Sequence, residues 1–292
     1  MKQIAPIDRI ARAPWLDGVA GPLRDLVAKV LRPGRVKDLL HGVWLGHPVH
    51  PAMAQLSFGC FTGAAALDAT GDRGDAASRL IGLGLATSVP TAAAGLADYA
   101  DGHEEQQRIG VVHATANAAG MLCYLGSLGL RRSGNPGGRP LGLLAYGLLA
   151  GGAAIGGDLA FRWATGPNHA AEVPHAGPAE WTDLGAPADF PDGQPVRVQA
   201  GLIPVLVRRQ GGEVLVMHDR CSHMAGPLHQ GDLVTEDGHE CVVCPWHHSA
   251  FRLSDGAIVR GPATAPQPVL DSRIHDGRVQ AKVREIPGVP AS

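Results

Sequence analysis

Four long segments of this 292-residue chain are almost free of charged residues. Each has about the 17 to 25 residues that a helix needs to cross a membrane, although alanine and glycine outnumber leucine in them. Small residues four apart, such as Gly59 and Gly63, favour close helix packing in lipid. The pattern predicts a four-helix transmembrane bundle, with a soluble alanine-rich bundle as the alternative. The segments are Pro51–Leu67, Leu80–Ala97, Gly110–Leu130 and Pro140–Gly157.

The charges that flank these segments predict the orientation of the bundle. Ten lysine and arginine residues lie on the side of the N-terminus and five on the opposite side. Because positive charge is enriched on the cytoplasmic side of membrane proteins, we expect both termini in the cytoplasm. The ten are Lys2, Arg9, Arg12, Arg24, Lys29, Arg32, Arg35, Lys37, Arg108 and Arg162, and the five are Arg73, Arg79, Arg131, Arg132 and Arg139.

Composition divides the chain into four parts. Residues 1–40 form a basic, partly helical segment without the apolar region of a secretory signal peptide. Residues 41–165 hold the four apolar segments, and residues 166–178 lose periodicity and gain proline, glycine and histidine, which is typical of a linker. Residues 179–292 carry short β-type runs. The predicted fold class is therefore multidomain α plus β, with a four-helix transmembrane bundle followed by an all-β domain.

Charge and cysteine content exclude two classes of function. The 25 basic residues nearly balance the 27 acidic ones, so the chain has no overall basic field to hold nucleic acid. The five cysteines are an odd number, and three of them lie in the last quarter of the chain. This crowding indicates metal chemistry rather than a disulfide scaffold.

Two short motifs in the β region carry metal-binding residue types. Cys221-Ser222-His223 and Cys244-Pro245-Trp246-His247 supply two thiolates and two imidazoles. Thiolate favours zinc or an iron–sulfur cluster, and two histidines replace two cysteines on one iron in the Rieske arrangement. A closed zinc site that includes Cys241 is the alternative, but it leaves Pro245-Trp246-His247 unexplained.

The residues around these motifs resemble a known family. The runs CSHMAGPL and CPWHHSAFRLSDGAIVRGPATAPQP are similar to the two cluster loops of Rieske ferredoxins, within a resemblance that spans Ala179–Pro287. The resemblance implies a 2Fe-2S cluster as the cofactor. It also implies that Cys221 and Cys244 bind one iron, and that His223 and His247 bind the other.

Several positions depart from the pattern of that family. The spacer between the two motifs is longer, which implies an extended loop around Thr235–His239, and His248 stands where the family commonly has glycine. Gly226 and Trp246 occupy the positions where respiratory Rieske proteins carry an additional disulfide-forming cysteine pair. The resemblance therefore excludes a disulfide between the cluster loops.

The residues expected to tune the cluster are partly retained. Ser249 matches a serine of the respiratory proteins that raises the reduction potential, whereas Phe251 replaces their tyrosine and lacks its hydroxyl group. Trp246 completes the predicted surroundings of the cluster. We expect a midpoint in the lower part of the Rieske range, on the order of −150 to +50 mV.

The apolar region carries a second resemblance. Gly46-His47-Pro48-Val49-His50-Pro51 and the later run GGDLAFRWATG resemble a bacterial family of four-helix membrane proteins of uncharacterised function, across His41–Gly166. Alternating spans bring five ionisable residues toward the cytoplasmic face. They predict a second redox site, either a haem held by His113 with His47 or His50, or a quinone held by a histidine and a carboxylate. Helix capping by these residues is the alternative. The five are His47, His50, His113, Asp98 and Asp158.

Together these features predict a membrane-tethered Rieske protein that transfers single electrons to or from a redox partner protein or a quinone. An electron-supplying component of an oxygenase or reductase system is an alternative, as is a redox-sensing or interaction module. Only 45 residues follow His247, which disfavours a terminal oxygenase with a catalytic domain after its Rieske domain. An electron-transfer protein is favoured over a stand-alone enzyme.

Overall fold

The computed structural model describes residues 6–71 and 75–284. Lys2 and Arg73, which entered the orientation argument, lie outside these residues. The chain separates into two compact units. The first, here the helical unit, comprises the chain up to Leu40 and Pro48–Gly166, and the second, here the β unit, comprises His41–His47 and the chain from Pro167 onward.

Four long helices form the body of the helical unit, and each contains one of the four predicted apolar segments. Three of them, α5, α6 and α7, are long and apolar enough to cross a membrane. Three shorter helices in the basic segment precede them. The helices are α1 (Pro6–Ala11), α2 (Asp17–Val30), α3 (Arg35–His41), α4 (Val49–Ala69), α5 (Ala76–Ala100), α6 (Glu104–Arg132) and α7 (Gly138–Phe161).

The long helices pack as two hairpins, α4 on α5 and α6 on α7. Aromatic and aliphatic side chains, including Phe61, Tyr124 and Leu149, form a buried cluster among them. Glycine allows close contact at particular positions, because a Cβ atom on Gly120 would lie 2.7 Å from Leu149 Cγ. Gly59 of the predicted small-residue pair makes no such contact with another helix among the residues that the structure describes, because nothing there lies within 4 Å of a Cβ atom placed on it.

The β unit contains two antiparallel sheets. Six strands form one sheet in the order β1-β10-β9-β4-β3-β2, and four form the other in the order β5-β6-β7-β8. The short helix α8 (Val173–Ala176) precedes the first strand. The strands are β1 (Thr182–Gly185), β2 (Pro195–Ala200), β3 (Ile203–Gln210), β4 (Glu213–His218), β5 (Asp232–Glu236), β6 (His239–Val243), β7 (Ala250–Arg252), β8 (Ile258–Arg260), β9 (Val269–His275) and β10 (Arg278–Val283).

The structure adds detail to one sequence expectation in this region and contradicts another. The segment expected as a linker, residues 166–178, contributes Ala170 and Val173 to the buried core of the six-stranded sheet. The expected extended loop at Thr235–His239 is a tight hairpin, in which Asp237 and Gly238 both have positive φ, at 49° and 77°. Positive φ at both central residues is the geometry of a type I′ turn, which lets β5 and β6 continue to the turn.

Candidate metal centre

The two cysteine–histidine motifs lie in loops that make the same turn. The amide of Ala225 donates to the carbonyl of Cys221 at 2.8 Å, and the amide of His248 donates to the carbonyl of Cys244 at 3.0 Å. In each loop the cysteine amide donates in turn to a carbonyl five residues later, at Gly226 and Ser249. Ala225 and His248 both have positive φ, at 59° and 63°. The repeated turn fixes both cysteines in the same way.

The loops bring two thiols and two imidazoles together. Cys221 and Cys244 are only 1% and 2% exposed, and the Cys221 thiol donates a hydrogen bond to the Cys244 sulfur, which raises the pKa of Cys221 and lowers that of Cys244 to about 7. The rings of His223 and His247 lie 5.1 Å apart and perpendicular to each other. Both histidines are half-buried. The site therefore has a buried sulfur side and a more accessible imidazole side.

This donor set fits a binuclear cluster better than a single zinc ion. Cys241 lies on the opposite face of β6 from Val242, whose side chain packs in the same cluster as Cys221 and Cys244. The Cys241 thiol also lies near the charged groups of Glu236, Arg252 and Arg260. In residues 6–71 and 75–284, no three histidine, cysteine or acidic side chains surround a common point. A 2Fe-2S cluster needs only two protein donors on each iron.

Residues around the four donors allow the two loops to approach closely. A Cβ atom on Gly226 would lie 2.7 Å from the Cys244 sulfur and 3.2 Å from the Trp246 ring, so the position excludes any larger residue. Trp246 is 46% exposed, and its ring centre lies 6.4 Å from that of His247. All five cysteines are free thiols.

The two residues expected to tune the potential are both buried. Ser249 Oγ accepts a hydrogen bond from the amide of Ala263 at 2.9 Å, which ties the second motif to the proline-rich loop that follows it. Phe251 on β7 packs in the same apolar cluster as Cys221 and Cys244. The structure thus places an aromatic ring without a hydroxyl group beside the sulfur side of the site.

The sequence did not reveal two polar side chains that hold the first motif. Gln267 accepts from the amide of Ser222 at 2.9 Å and donates to the carbonyls of His218 and Arg220 at 2.7 and 2.8 Å. Asp219 accepts from both the amide and the ring of His229. Neither residue stands at a sequence spacing that would indicate its role. The partners of Gln267 are backbone groups, and the partner of Asp219 lies in a separate turn. The Pro-rich run around Gln267 was the only signal of a supporting loop.

The five residues of the second predicted site are only partly brought together. His50 and His113 face each other within the helical unit, with ring centres 6.2 Å apart. Asp158 instead accepts a hydrogen bond from Arg162 at 3.2 Å. Asp98 lies in the last turns of α5, and His47 is exposed and belongs to the β unit.

Comparison with known proteins identifies the β unit. Residues 180–281 match the Rieske [2Fe-2S] domain. The anthranilate 1,2-dioxygenase ferredoxin subunit of Burkholderia cepacia is 41% identical over 105 residues, which are 36% of this chain and 94% of that subunit. The chain belongs to the Rieske family. Its Rieske domain binds a 2Fe-2S cluster.

Two further proteins that are similar to this domain are named as ferredoxins. The 3-phenylpropionate/cinnamic acid dioxygenase ferredoxin subunit of Escherichia coli K12 is 30% identical over 92 residues, covering 32% of this chain and 83% of that subunit. The solved structure of the Sphingomonas yanoikuyae B1 ferredoxin is 29% identical, with a TM-score of 0.31, and covers 36% of this chain and 100% of that protein. Ferredoxin relatives of this type serve as electron carriers in oxygenase systems.

Proposed function

We propose that this chain is a membrane-tethered one-electron carrier, in which Cys221 and Cys244 bind one iron of the cluster and His223 and His247 bind the other. The convergence of the two matching turns carries this proposal, because it supplies two sulfur and two imidazole donors from loops of equal geometry. When bound, the cluster supplies reversible one-electron chemistry. The protein contributes the ligands, the apolar surroundings and the path to a partner.

The difference in exposure between the two sides of the site supports transfer to a partner. The cysteines are buried, whereas the imidazoles are half-buried and Trp246 beside His247 is 46% exposed. Electrons therefore enter and leave on the imidazole side. By analogy with the ferredoxin subunits of dioxygenases, the partner is a redox protein, such as an oxygenase or reductase component.

The outer surface of the long helices supports tethering to a membrane. Several large apolar side chains on α5, α6 and α7 point away from the helical unit, where water would leave them unfavourably solvated and lipid would not. The excess of positive charge on the side of the N-terminus favours a cytoplasmic location for both termini and the Rieske domain. The outward-facing residues include Leu83, Val89, Leu122, Leu125, Leu143 and Leu144.

A potentiometric titration of the detergent-purified protein, followed by EPR, tests the carrier proposal. We expect one electron per chain and a midpoint on the order of −150 to +50 mV. A Phe251→Tyr variant should raise the midpoint, because the new hydroxyl group can donate to a cluster sulfur. A cluster that cannot be reduced reversibly would contradict the carrier proposal, whereas a midpoint near +300 mV would contradict the expected effect of the hydroxyl group that Phe251 lacks.

Membrane tethering is tested separately by fractionation. The full-length chain should remain with membranes after alkaline carbonate washing, and the Rieske domain should be protected from protease in right-side-out vesicles. Release by carbonate would contradict the tether, and digestion of the domain from outside would contradict the cytoplasmic orientation.

A further inference from the structure

Two histidines from different hairpins face each other in the helical unit. His50 comes from the first turn of α4, and His113 comes from α6. Their ring centres are 6.2 Å apart and their planes are inclined by 78°. Two metal–imidazole bonds of about 2 Å, with each ring centre about 1 Å behind its nitrogen, would place the ring centres of an axial ligand pair about 6 Å apart. The observed separation of 6.2 Å matches the ring-centre distance expected for two imidazoles that share one metal.

Hydrogen bonds set the same tautomer on both rings. His50 Nδ1 lies 2.9 Å from the carbonyl oxygen of Thr91, and His113 Nδ1 lies 2.8 Å from that of Gly152. A carbonyl oxygen can only accept, so each Nδ1 carries the proton and, in the neutral ring, each Nε2 keeps its lone pair. This arrangement is typical of metal-binding histidine, whose second nitrogen is fixed by a backbone carbonyl.

The amide of Asn117 does not block the lone pair of His113. Its nitrogen lies 3.4 Å from Nδ1 and 3.2 Å from Nε2 of the ring, and 2.9 Å from the backbone carbonyl of His113. Because it is nearly equidistant from the two ring nitrogens, it cannot lie along the lone-pair direction of Nε2, which points away from Nδ1. The direction in which a metal would bind stays clear of this amide.

The two hairpins hold their histidines in equivalent ways. In each hairpin the carbonyl that accepts from the histidine lies four residues before a glycine against which the ring packs. A Cβ atom on Gly95 would lie 2.7 Å from His50 Nδ1, and one on Gly156 would lie 2.9 Å from His113 Cε1. The second helix of each hairpin carries a similar run at this point, TAAAG in α5 and GAAIG in α7. Each run provides a carbonyl acceptor and a glycine surface for one imidazole.

The available donors select haem over a lone metal ion. A zinc or copper ion needs three or four protein donors, but no group of three such side chains occurs among the residues that the structure describes. A haem brings four nitrogens of its own and needs only two axial ligands.

The large apolar cluster of the bundle lies around Phe61, Ile81 and Tyr124, closer to the opposite ends of the helices. Each hairpin also packs more extensively within itself than on the other, which suits a planar group between them.

We propose that the helical unit binds one haem, with His50 and His113 as its two axial ligands. This site is independent of the iron–sulfur cluster, since none of its residues belongs to the Rieske domain.

Haem titration of the detergent-purified full-length protein tests the proposal. Hemin should bind at one equivalent and give a six-coordinate, low-spin ferric spectrum, with the Rieske EPR signal recorded in every sample as a check of folding. His50→Ala and His113→Ala should each lose the low-spin spectrum. His103→Gln, which changes a histidine at the start of α6 outside the pair, should keep it.

A rescue experiment separates loss of the ligand from loss of the fold. Free imidazole should restore the low-spin spectrum of His113→Ala, and His113→Met should stay low-spin with a higher haem midpoint, because thioether ligation raises the potential. The proposal is overturned if the unmodified protein binds no stoichiometric haem, or if both alanine variants keep the low-spin spectrum. A bound quinone without haem would also overturn it.

Discussion

At the scale of single residues, His248 has an unusual backbone conformation whose cause is visible only in the folded chain. The resemblance to Rieske ferredoxins places glycine at this position, and the structure gives His248 a φ of 63°. That conformation favours glycine because a side chain crowds the backbone. The need for it arises from the turn between Cys244 and Ser249, which spacing alone does not predict.

Replacement of His248 by glycine should stabilise the folded chain. We expect a gain of up to about 1 kcal/mol, since relief of the left-handed strain slightly exceeds the additional freedom of glycine when unfolded. Denaturant unfolding followed by cluster absorbance measures it. His248→Val should instead lose about 1–2 kcal/mol, because β-branched residues tolerate positive φ poorly. Equal stability of the three proteins would show that the turn is not strained.

Gln267 is a second residue whose importance only the structure reveals. Gln267 is 1% exposed, and its side chain hydrogen-bonds two backbone groups of the first cluster loop and the carbonyl of His218 at the end of β4. Gln267→Met keeps the length but leaves those groups unpaired, so we expect a loss of about 2–4 kcal/mol and lower cluster occupancy. Gln199→Met, at an exposed site, is the matched control. An unchanged unfolding midpoint for Gln267→Met would contradict this role.

At the scale of elements, the two cluster loops approach closely only because position 226 has no side chain. A Cβ atom there would meet the Cys244 sulfur at 2.7 Å. Gly226→Ala should therefore lower the iron and sulfide content of the purified protein. Gly212→Ala is the control, since a Cβ atom on Gly212 would have no neighbour within 4 Å and its φ is not positive. Full cluster content in both variants would refute the packing argument.

The elements differ in how well the sequence predicts them. The four long helices contain the charge-free segments because a continuous apolar run leaves few alternatives. The hairpin at Asp237-Gly238 is not predicted, although this dipeptide is a strong turn signal, because the family resemblance favours an extended loop in the longer spacer. The segment 166–178 resembles a linker because its apolar positions, Ala170 and Val173, are too few to form a periodic pattern. The mutual approach of His50 and His113 is predicted in part, but its distance requires the structure.

At the scale of the whole molecule, the chain joins two units with different physical requirements. The helical unit exposes large apolar side chains and buries several polar ones. The Rieske domain instead buries apolar side chains in clusters on its two sheets. Loss of the cluster should destabilise only the latter, because ligand binding contributes folding energy to the unit that supplies the ligands. We therefore expect two separate unfolding transitions. Chelation of iron should lower the midpoint of the transition that belongs to the Rieske domain and leave the other unchanged.

The central claim is the assignment of the four cluster ligands, and low-temperature EPR of the purified full-length protein tests it most directly. After reduction, the unmodified chain and Cys241→Ser should both give the Rieske signal, because the Cys241 side chain is on the face of β6 that points away from the cluster cysteines. His247→Ala should abolish that signal, since it removes one of the two imidazoles. A signal that survives in His247→Ala, or that is lost in Cys241→Ser, would contradict the assignment.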